Sequence, residues 1–152
     1  MREVRYAGPG DAQSLIALYT HLIPDEASVS ERVAAERIAA LKAYPGSEIL
    51  IASVDGKDVA TLTLIVVPNM TRQGAPYAFI ENVVTHKAYR RQGHVKALLA
   101  KAEEAAWAAG CYRIMIVSGN HNETAHQVYA AAGFDASKTG FQKRRIPTRP
   151  QG

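Results

Sequence analysis

The sequence predicts an α+β fold, a mixed and mostly antiparallel central sheet flanked by helices. The first observation is a β-hairpin signal: β-branched runs at residues 48–54 and 59–67 are joined by DGKD, residues 55–58. The second is the pattern from residue 77 to residue 132, where strand-like and helix-like segments alternate. A hairpin followed by alternating elements is typical of one mixed sheet with helices packed on it.

The elements before the hairpin follow from periodicity and from residues that break regular structure. Residues 2–7 alternate as a first strand, which Pro9 ends. Asp11 can cap a first helix, and a second helix begins near Ser28 or Ser30. The apolar residues at helical spacing in the first helix are Leu15, Ile16, Leu18, Tyr19 and Leu22.

The second half of the chain supplies the elements around which we expect a site. Residues 77–85 form a predicted strand that leads into a helix running to Trp107. Residues 112–117 read as a short buried strand, and residues 122–132 as a helix closed by a glycine. Residues 140–146 alternate weakly as a last strand. We therefore predict one domain over residues 1–146, followed by a frayed tail at 147–152.

Composition narrows the class of protein. A hydrophobic fraction of 47% and a charged fraction of 21% are those of a globular soluble protein. No apolar run approaches the roughly 20 residues that span a bilayer, and the N-terminus lacks the apolar stretch of a secretory signal. We expect a cytoplasmic protein with no membrane partner.

Charge and metal-ligating residues exclude two further classes. A single cysteine, Cys111, rules out an intrachain disulfide framework, and the histidines lack the spacing of a zinc site, so no metal is expected. The net charge of +4 raises the question of nucleic acid. Because the basic residues cluster in two short stretches with little aromatic interleaving, attraction to a small polyanion fits better, and we expect no nucleic-acid partner.

The stretch RRQGHVK, residues 90–96, places a glycine and three cationic residues at the start of the predicted helix. A helix N-terminus presents unpaired N–H groups and partial positive charge, and a glycine lets the backbone approach an anion closely. The stretch therefore predicts an anion site, although a glycine between a strand and a helix is often only a turn residue. It matches neither the P-loop pattern nor the dinucleotide-binding pattern.

Together with NETAHQVYAAAGF, residues 122–134, this stretch resembles the GNAT superfamily of acetyl-CoA-dependent N-acetyltransferases. The family's phosphate-binding signature begins with Gln or Arg, has Gly three residues later, and ends with Gly or Ala two residues after that. Arg90, Gly93 and Val95 occupy these three positions. Val95 departs from the small residue, and its side chain would remove room beside the pyrophosphate. The later signature is matched by Asn122, Ala125, Tyr129, Gly133 and Phe134.

The resemblance implies the GNAT fold and acetyl-CoA as the cofactor, with coenzyme A as product and no metal. It implies that backbone amides from Arg91 to Lys96 wrap the pyrophosphate and that residues 83–85 pair with the pantetheine arm like an extra strand. Asn122 would bond that arm farther along, although it is also an excellent helix N-cap. The residues assigned to the coenzyme are Val83, Val84, Thr85, Arg90, Arg91, Gln92, Gly93, His94, Val95, Lys96 and Asn122.

Two residues are candidates for proton transfer. Glu81 is the candidate general base, acting directly or through a water, because burial in the apolar strand IENVV would make its carboxylate a stronger base. Simple alternation would put Ile80 and Val84 on one face of that strand, with Glu81 and Val83 on the other. The resemblance makes Tyr129 the general acid near the coenzyme sulfur. The alternatives are a solvated or salt-bridged Glu81 and a Tyr129 that only packs in the core.

The resemblance implies an N-acetyltransferase that moves an acetyl group to a primary amine by direct attack in a ternary complex. IENVV and GCYRIMI also resemble small glucosamine-phosphate N-acetyltransferases, which suggests a small-molecule amine as substrate partner. We expect the acceptor where residues 24–31 and 68–76 meet the end of the fourth strand, with Glu26 and Arg72 as contacts. A peptide or protein amine, or an acyl-CoA-binding module with little catalysis, stays open. A homodimer is possible.

Overall fold

The computed structural model describes residues 1–147, in which five strands form one sheet in chain order. The first four strands are antiparallel neighbours, and the last pair is parallel. The strands are β1 (Arg2–Tyr6), β2 (Glu48–Val54), β3 (Lys57–Val67), β4 (Tyr77–Thr85) and β5 (Ile114–Ile116). The α-helices of the described part are α1 (Ala12–Tyr19), α2 (Glu31–Lys42), α3 (His94–Ala108) and α4 (Glu123–Ala131). The predicted mixed, mostly antiparallel α+β fold is confirmed.

The hairpin of β2 and β3 closes through two residues in the left-handed region. Asp55 has φ 49° and Gly56 has φ 81°, which is the conformation that a tight hairpin turn requires. The turn is therefore shorter than the predicted four residues, and β3 begins at Lys57 instead of Val59.

Helices pack on both faces of the sheet and divide the core in two. On one face, α3 contributes Leu98 to a cluster with Leu62 and Ile80. On the other face, α1 and α2 enclose a second cluster that includes Leu15 and Ile38. Burial of these apolar faces is the main stabilising term of such a domain.

The two N-terminal helices differ from the prediction in detail. The Ser30 hydroxyl accepts a hydrogen bond from the Val33 N–H at 3.2 Å and caps α2 as predicted. Helix α1 ends at Tyr19, so Leu22 lies outside it. The Thr20 hydroxyl donates to the Ala17 carbonyl at 2.6 Å, and such a bond competes with continuation of the helix.

The C-terminal part of the described chain departs most from the prediction. The last strand predicted at 140–146 is wrong: these residues form no strand, and Phe141 is 95% exposed. The segment carries three consecutive cations and presents no apolar face that a sheet could bury. Strand β5 is half-buried instead of buried, because it lies at the edge of the sheet. The tail predicted at 147–152 lies almost wholly outside the described residues.

Within residues 1–147, no helix combines the length and the apolar character that crossing a membrane requires.

Candidate active site

The entrance of α3 has the backbone geometry of an anion site. Gly93 is the N-cap residue with φ 79°, and Arg91 two residues earlier also lies in the left-handed region at φ 62°. These two residues turn the chain so that the first amides of α3 point out of the helix end. In the first turn, the N–H groups have no acceptor within the helix. They are available to a negatively charged group.

Arg2 of β1 fixes the orientation of this entrance. Its guanidinium donates to the Gln92 carbonyl at 3.0 Å and to the Gly93 carbonyl at 3.0 Å. In a trans peptide the C=O and the following N–H point in opposite directions, so the amides of Gly93 and His94 face away from Arg2. Sequence reasoning missed Arg2, because it lies 90 residues from the loop and no local pattern joins the two.

The polar side chains around the entrance differ in whether they are free in solvent or hydrogen-bonded to the backbone. Arg91 and Lys96 are exposed, as is Gln92. Arg90 is engaged by backbone carbonyls: it donates to Thr85 and to His21, each at 3.4 Å. Arg91 and Lys96 can therefore meet an anion directly, whereas Arg90, which is also exposed, ties the loop to the turn that follows α1.

His94 and Val95 face the interior at the start of α3. His94 is only 5% exposed, and neither ring nitrogen has a hydrogen-bond partner among the described residues. Burial lowers the pKa of His94, and the nearby Arg2 charge lowers it further, so the ring is neutral at neutral pH. The Val95 side chain is half-buried and packs against the core cluster, while its predicted effect on the room beside a pyrophosphate stays a prediction.

Strand β4 contains a β-bulge. Thr63 of β3 pairs with Glu81 and Thr61 pairs with Val84, so two residues of β4, Asn82 and Val83, oppose one residue of β3. Asn82 has φ 53°, which accommodates the extra residue.

The bulge reverses the alternation predicted for this strand. Paired residues share a face, so Glu81 and Val84 lie on the side of α1 and α2. Ile80 and Val83 contact the core cluster on the α3 side. The predicted grouping of Ile80 with Val84 is wrong, because one inserted residue shifts every later side chain to the other face.

One edge of β4 is open beyond the bulge. Parallel pairing with β5 covers only three positions, from Ala78–Ile114 to Ile80–Ile116. Residues 81–85 of β4 thus have no β5 partner within the described chain. An open edge of this kind presents backbone N–H and C=O groups to an added extended segment.

A groove lies between α1, α2 and the sheet, on the same face as Glu81. We call it the α1–α2 groove: a cavity of about 380 Å³ and an adjoining one of about 200 Å³ that share Ile16, Tyr19, Val29 and Asn82. Glu81 lines the larger cavity and is exposed to it. The burial predicted for Glu81 is wrong, because the bulge and the end of β5 pairing leave its side chain at an opening.

The two residues predicted on α4 have definite roles in its structure. The Asn122 side-chain oxygen accepts the Ala125 N–H at 3.1 Å and caps the helix. Tyr129 is half-buried against the core cluster, with its ring edge-on to Phe134. Burial raises the pKa of Tyr129, so its phenol keeps its proton at neutral pH.

The two predicted acceptor contacts lie far apart. Glu26 lines the smaller cavity of the α1–α2 groove. Arg72 lies over the Tyr112 ring, 5.5 Å from its centroid, in the loop before β4 begins. The strand rises about 3.3 Å per residue, which separates the start of β4 from its bulge by roughly 16 Å. The loop at 68–76 adjoins the start of β4, so the expected meeting of both segments at its end is wrong.

Metal ligands are not gathered at this site. Across the described residues, no three His, Cys, Asp or Glu side chains come close enough together to hold an ion.

Comparison with known proteins decides the family. Residues 15–134 match the model of the acetyltransferase (GNAT) family, and these residues are most of the chain. The chain belongs to the GNAT acetyltransferase family. It is accordingly an acyltransferase that depends on acetyl-CoA, and the fold and the enzyme class predicted from its motifs are confirmed.

Individual relatives agree with this assignment. Glucosamine 6-phosphate N-acetyltransferase of Trypanosoma brucei brucei is 29% identical over 136 residues, which cover 88% of this chain and 89% of the relative. A solved structure of a candidate acetyltransferase from Agrobacterium tumefaciens str. C58 has a TM-score of 0.87 at 44% identity, covering 94% of this chain and 99% of that chain. Glucosamine-6-phosphate N-acetyltransferase of Arabidopsis thaliana shares the fold, with a TM-score of 0.85 at 19% identity and coverage of 96% and 99%.

Proposed function

We propose that this GNAT enzyme transfers the acetyl group of acetyl-CoA to the primary amine of a small molecule by direct attack in a ternary complex. One observation carries the proposal. The bulge of β4 lies between two openings: Glu81 and Asn82 line the α1–α2 groove, and the same strand presents an open backbone edge. Two substrates can therefore meet at this bulge without an acyl-enzyme.

The coenzyme occupies the entrance of α3 and the open edge of β4. The amides from Arg91 to Lys96 receive the pyrophosphate, and an added Cβ at Gly93 would meet nothing closer than the Arg2 guanidinium at 3.6 Å. The backbone of Val83, Val84 and Thr85 pairs with the pantetheine arm along the edge that β5 leaves open. The Asn122 amide nitrogen donates to that arm, since its side-chain oxygen already caps α4.

The chemistry follows from the residues at the bulge. Acetyl-CoA supplies an acetyl group already activated as a thioester. Glu81 accepts the proton that the acceptor ammonium must lose, directly or through a water. The Val83 N–H donates to the thioester oxygen and stabilises the charge that develops there. The neutral amine then attacks the thioester carbon, and the C–S bond breaks as the new C–N bond forms. The Tyr129 phenol donates its proton to the departing thiolate sulfur and regains a proton from the acetylated nitrogen, which loses its second one.

Thermal melting with acetyl-CoA, followed by an assay of free-thiol release with amines, tests the proposal. A ligand that binds only the native state stabilises it by about 2.7 kcal/mol at a hundredfold excess over its Kd. We expect a raised melting temperature with acetyl-CoA and with coenzyme A, and thiol release only when an amine is added. No shift at millimolar acetyl-CoA would contradict the coenzyme site. A shift without thiol release on any small amine would favour an acyl-CoA-binding module or a peptide acceptor.

The assembly and the compartment stay predictions. Trp107 on α3 is 48% exposed, and its indole N–H donates to Glu103 at 3.2 Å, so its ring is available to a second copy. Sedimentation equilibrium tests the predicted homodimer: one species at twice 16.5 kDa would support it, and one at the single-chain mass would contradict it. Cell fractionation tests the cytoplasmic prediction.

A further inference from the structure

The chemistry of the α1–α2 groove selects among acceptors. We propose that the acceptor is a small primary amine with an apolar body, held in this groove with its nitrogen at Glu81. This inference rests on the proposed function, because it assigns the substrate class of the same site.

The groove is apolar over most of its wall. Four elements contribute branched aliphatic side chains to it: α1, α2, β2 and β3. The residues are Leu15, Ile16, Ile38, Leu41, Ile49 and Ile65. A wall of this kind gains most from burying the apolar surface of a ligand.

The larger cavity has five polar side chains in its wall, those of Tyr19, Arg37, Thr63, Glu81 and Asn82, and some of them already interact with each other. The Thr63 side chain lies beside the Tyr19 hydroxyl and interacts with it, so neither group is fully available to a ligand. The hydroxyls of a sugar would leave water and find few partners here, which disfavours their burial. An aliphatic or aromatic body makes no hydrogen bonds to water, so its burial in the groove breaks none.

Charge in the groove suits an amine better than a phosphorylated amine. Glu81 provides a carboxylate beside the bulge, where an ammonium group would be attracted. Arg37 is the one cation among the described lining residues, and Arg72, the residue predicted to hold a phosphate, lies at the other end of β4. Among the residues that line the groove, a phosphate would therefore find one exposed arginine and no helix N-terminus.

Size limits the acceptor to a small molecule. The larger cavity of about 380 Å³ lies near the lower end of the range of ligand pockets. The adjoining cavity of about 200 Å³ opens along Ser28 and Val29 and extends the same wall. A body of the size of a phenyl ring with a short alkyl chain fits this space.

Calorimetry on the protein saturated with coenzyme A tests the inference without requiring turnover. The probes are 2-phenylethylamine, hexylamine, glucosamine 6-phosphate and spermidine. We expect the two apolar amines to bind at least about tenfold more tightly than the sugar phosphate and the polyamine. Equal or tighter binding of glucosamine 6-phosphate or spermidine, or no binding of either apolar amine at millimolar concentration, would overturn the inference.

A pair of variants locates the binding. Val29 lines both cavities and is 54% exposed, so Val29→Asn changes the wall without removing a core residue. We expect it to weaken 2-phenylethylamine binding at least about fivefold, since it replaces apolar contact with a polar group. Met70→Asn is the matched control, because Met70 is 96% exposed and lines neither cavity. Equal effects of the two substitutions would overturn the assignment to the groove.

Coenzyme affinity of the same samples separates this inference from the proposed function. If the unsubstituted protein does not bind coenzyme A, the proposed function is contradicted. Retained coenzyme A binding together with preference for the sugar phosphate would overturn only the inference about the acceptor.

Discussion

The proposed coenzyme site (the coenzyme side) and the proposed acceptor site (the acceptor side) of this enzyme are built in different ways. Apart from the side chain of Asn122, the proposed coenzyme site uses backbone groups of one continuous segment, from the bulge of β4 through the loop at 86–92 into α3. The α1–α2 groove uses side chains that four separate elements bring together. A site made of backbone groups tolerates many side chains, whereas a site made of side chains changes its ligand when they change. We therefore propose that the fold fixes the acetyl donor and that the side chains of the groove select the acceptor.

Glu81→Gln should have the largest effect, because it removes the proposed general base at the bulge, where the coenzyme side and the acceptor side meet. General-base catalysis contributes roughly a hundredfold to ten-thousandfold in rate, so we expect kcat to fall at least about a hundredfold. Steady-state thiol release measures this, with Glu3→Gln as the control because Glu3 is also an exposed strand residue. The Kd for acetyl-CoA should not change. Retention of a third of the activity in Glu81→Gln would remove Glu81 from the mechanism.

Gly93→Ala should weaken the coenzyme side alone. A side chain at φ 79° is strained by about 1 kcal/mol, and relaxing that strain moves the amides at the end of α3. We expect acetyl-CoA to bind about tenfold more weakly, measured by calorimetry. Gly110→Ala is the matched control, since Gly110 has φ 82° with open space around it and follows the far end of α3. Both variants should melt at a lower temperature, and equal coenzyme affinity in both would contradict the anion site.

Arg2 offers a finer test of how the coenzyme side is held. Arg2→Ala removes both bonds to the loop carbonyls and one positive charge, and we expect acetyl-CoA binding to weaken by about threefold to tenfold. Arg2→Lys keeps the charge but loses the paired donors. If the two variants lose affinity alike, Arg2 acts by positioning the loop. Arg32→Ala on α2 is the control, and a loss there as large as in Arg2→Ala would show a nonspecific effect of charge.

The same contrast explains what the sequence could predict. The helix entrance at 90–96 and the strand at 77–85 were predicted correctly as elements, because glycine chemistry and periodicity are local signals. The bulge at Asn82 was missed because alternation alone carries no sign of an inserted residue. Arg72 was assigned to the acceptor from its charge alone, although its loop directly precedes β4 in the chain and so joins the start of that strand, away from the bulge. Arg2 and the groove wall depend on contacts between distant segments.

The smallest predicted effect is a loss of folding stability in acid, which comes from His94. Burial holds the pKa of His94 below its unfolded value, so the unfolded chain binds the proton more readily than the folded chain. The resulting loss of stability begins as pH falls through about 6.5 and grows until pH reaches the lowered folded pKa. Chemical denaturation between pH 8 and pH 5 measures it. His94→Gln should show a shallower loss of stability over this range, and an unchanged slope would contradict a buried neutral His94.

Residue-resolved amide hydrogen exchange with and without coenzyme A tests the central claim most directly. We expect exchange of the amides from Arg91 to Lys96 and from Val83 to Thr85 to slow when coenzyme A binds, while amides of α2 exchange as before. Slower exchange confined to these two segments would show that the coenzyme uses the α3 entrance and the open edge of β4. Binding without slower exchange in these segments, or with slower exchange in α2 instead, would contradict the account.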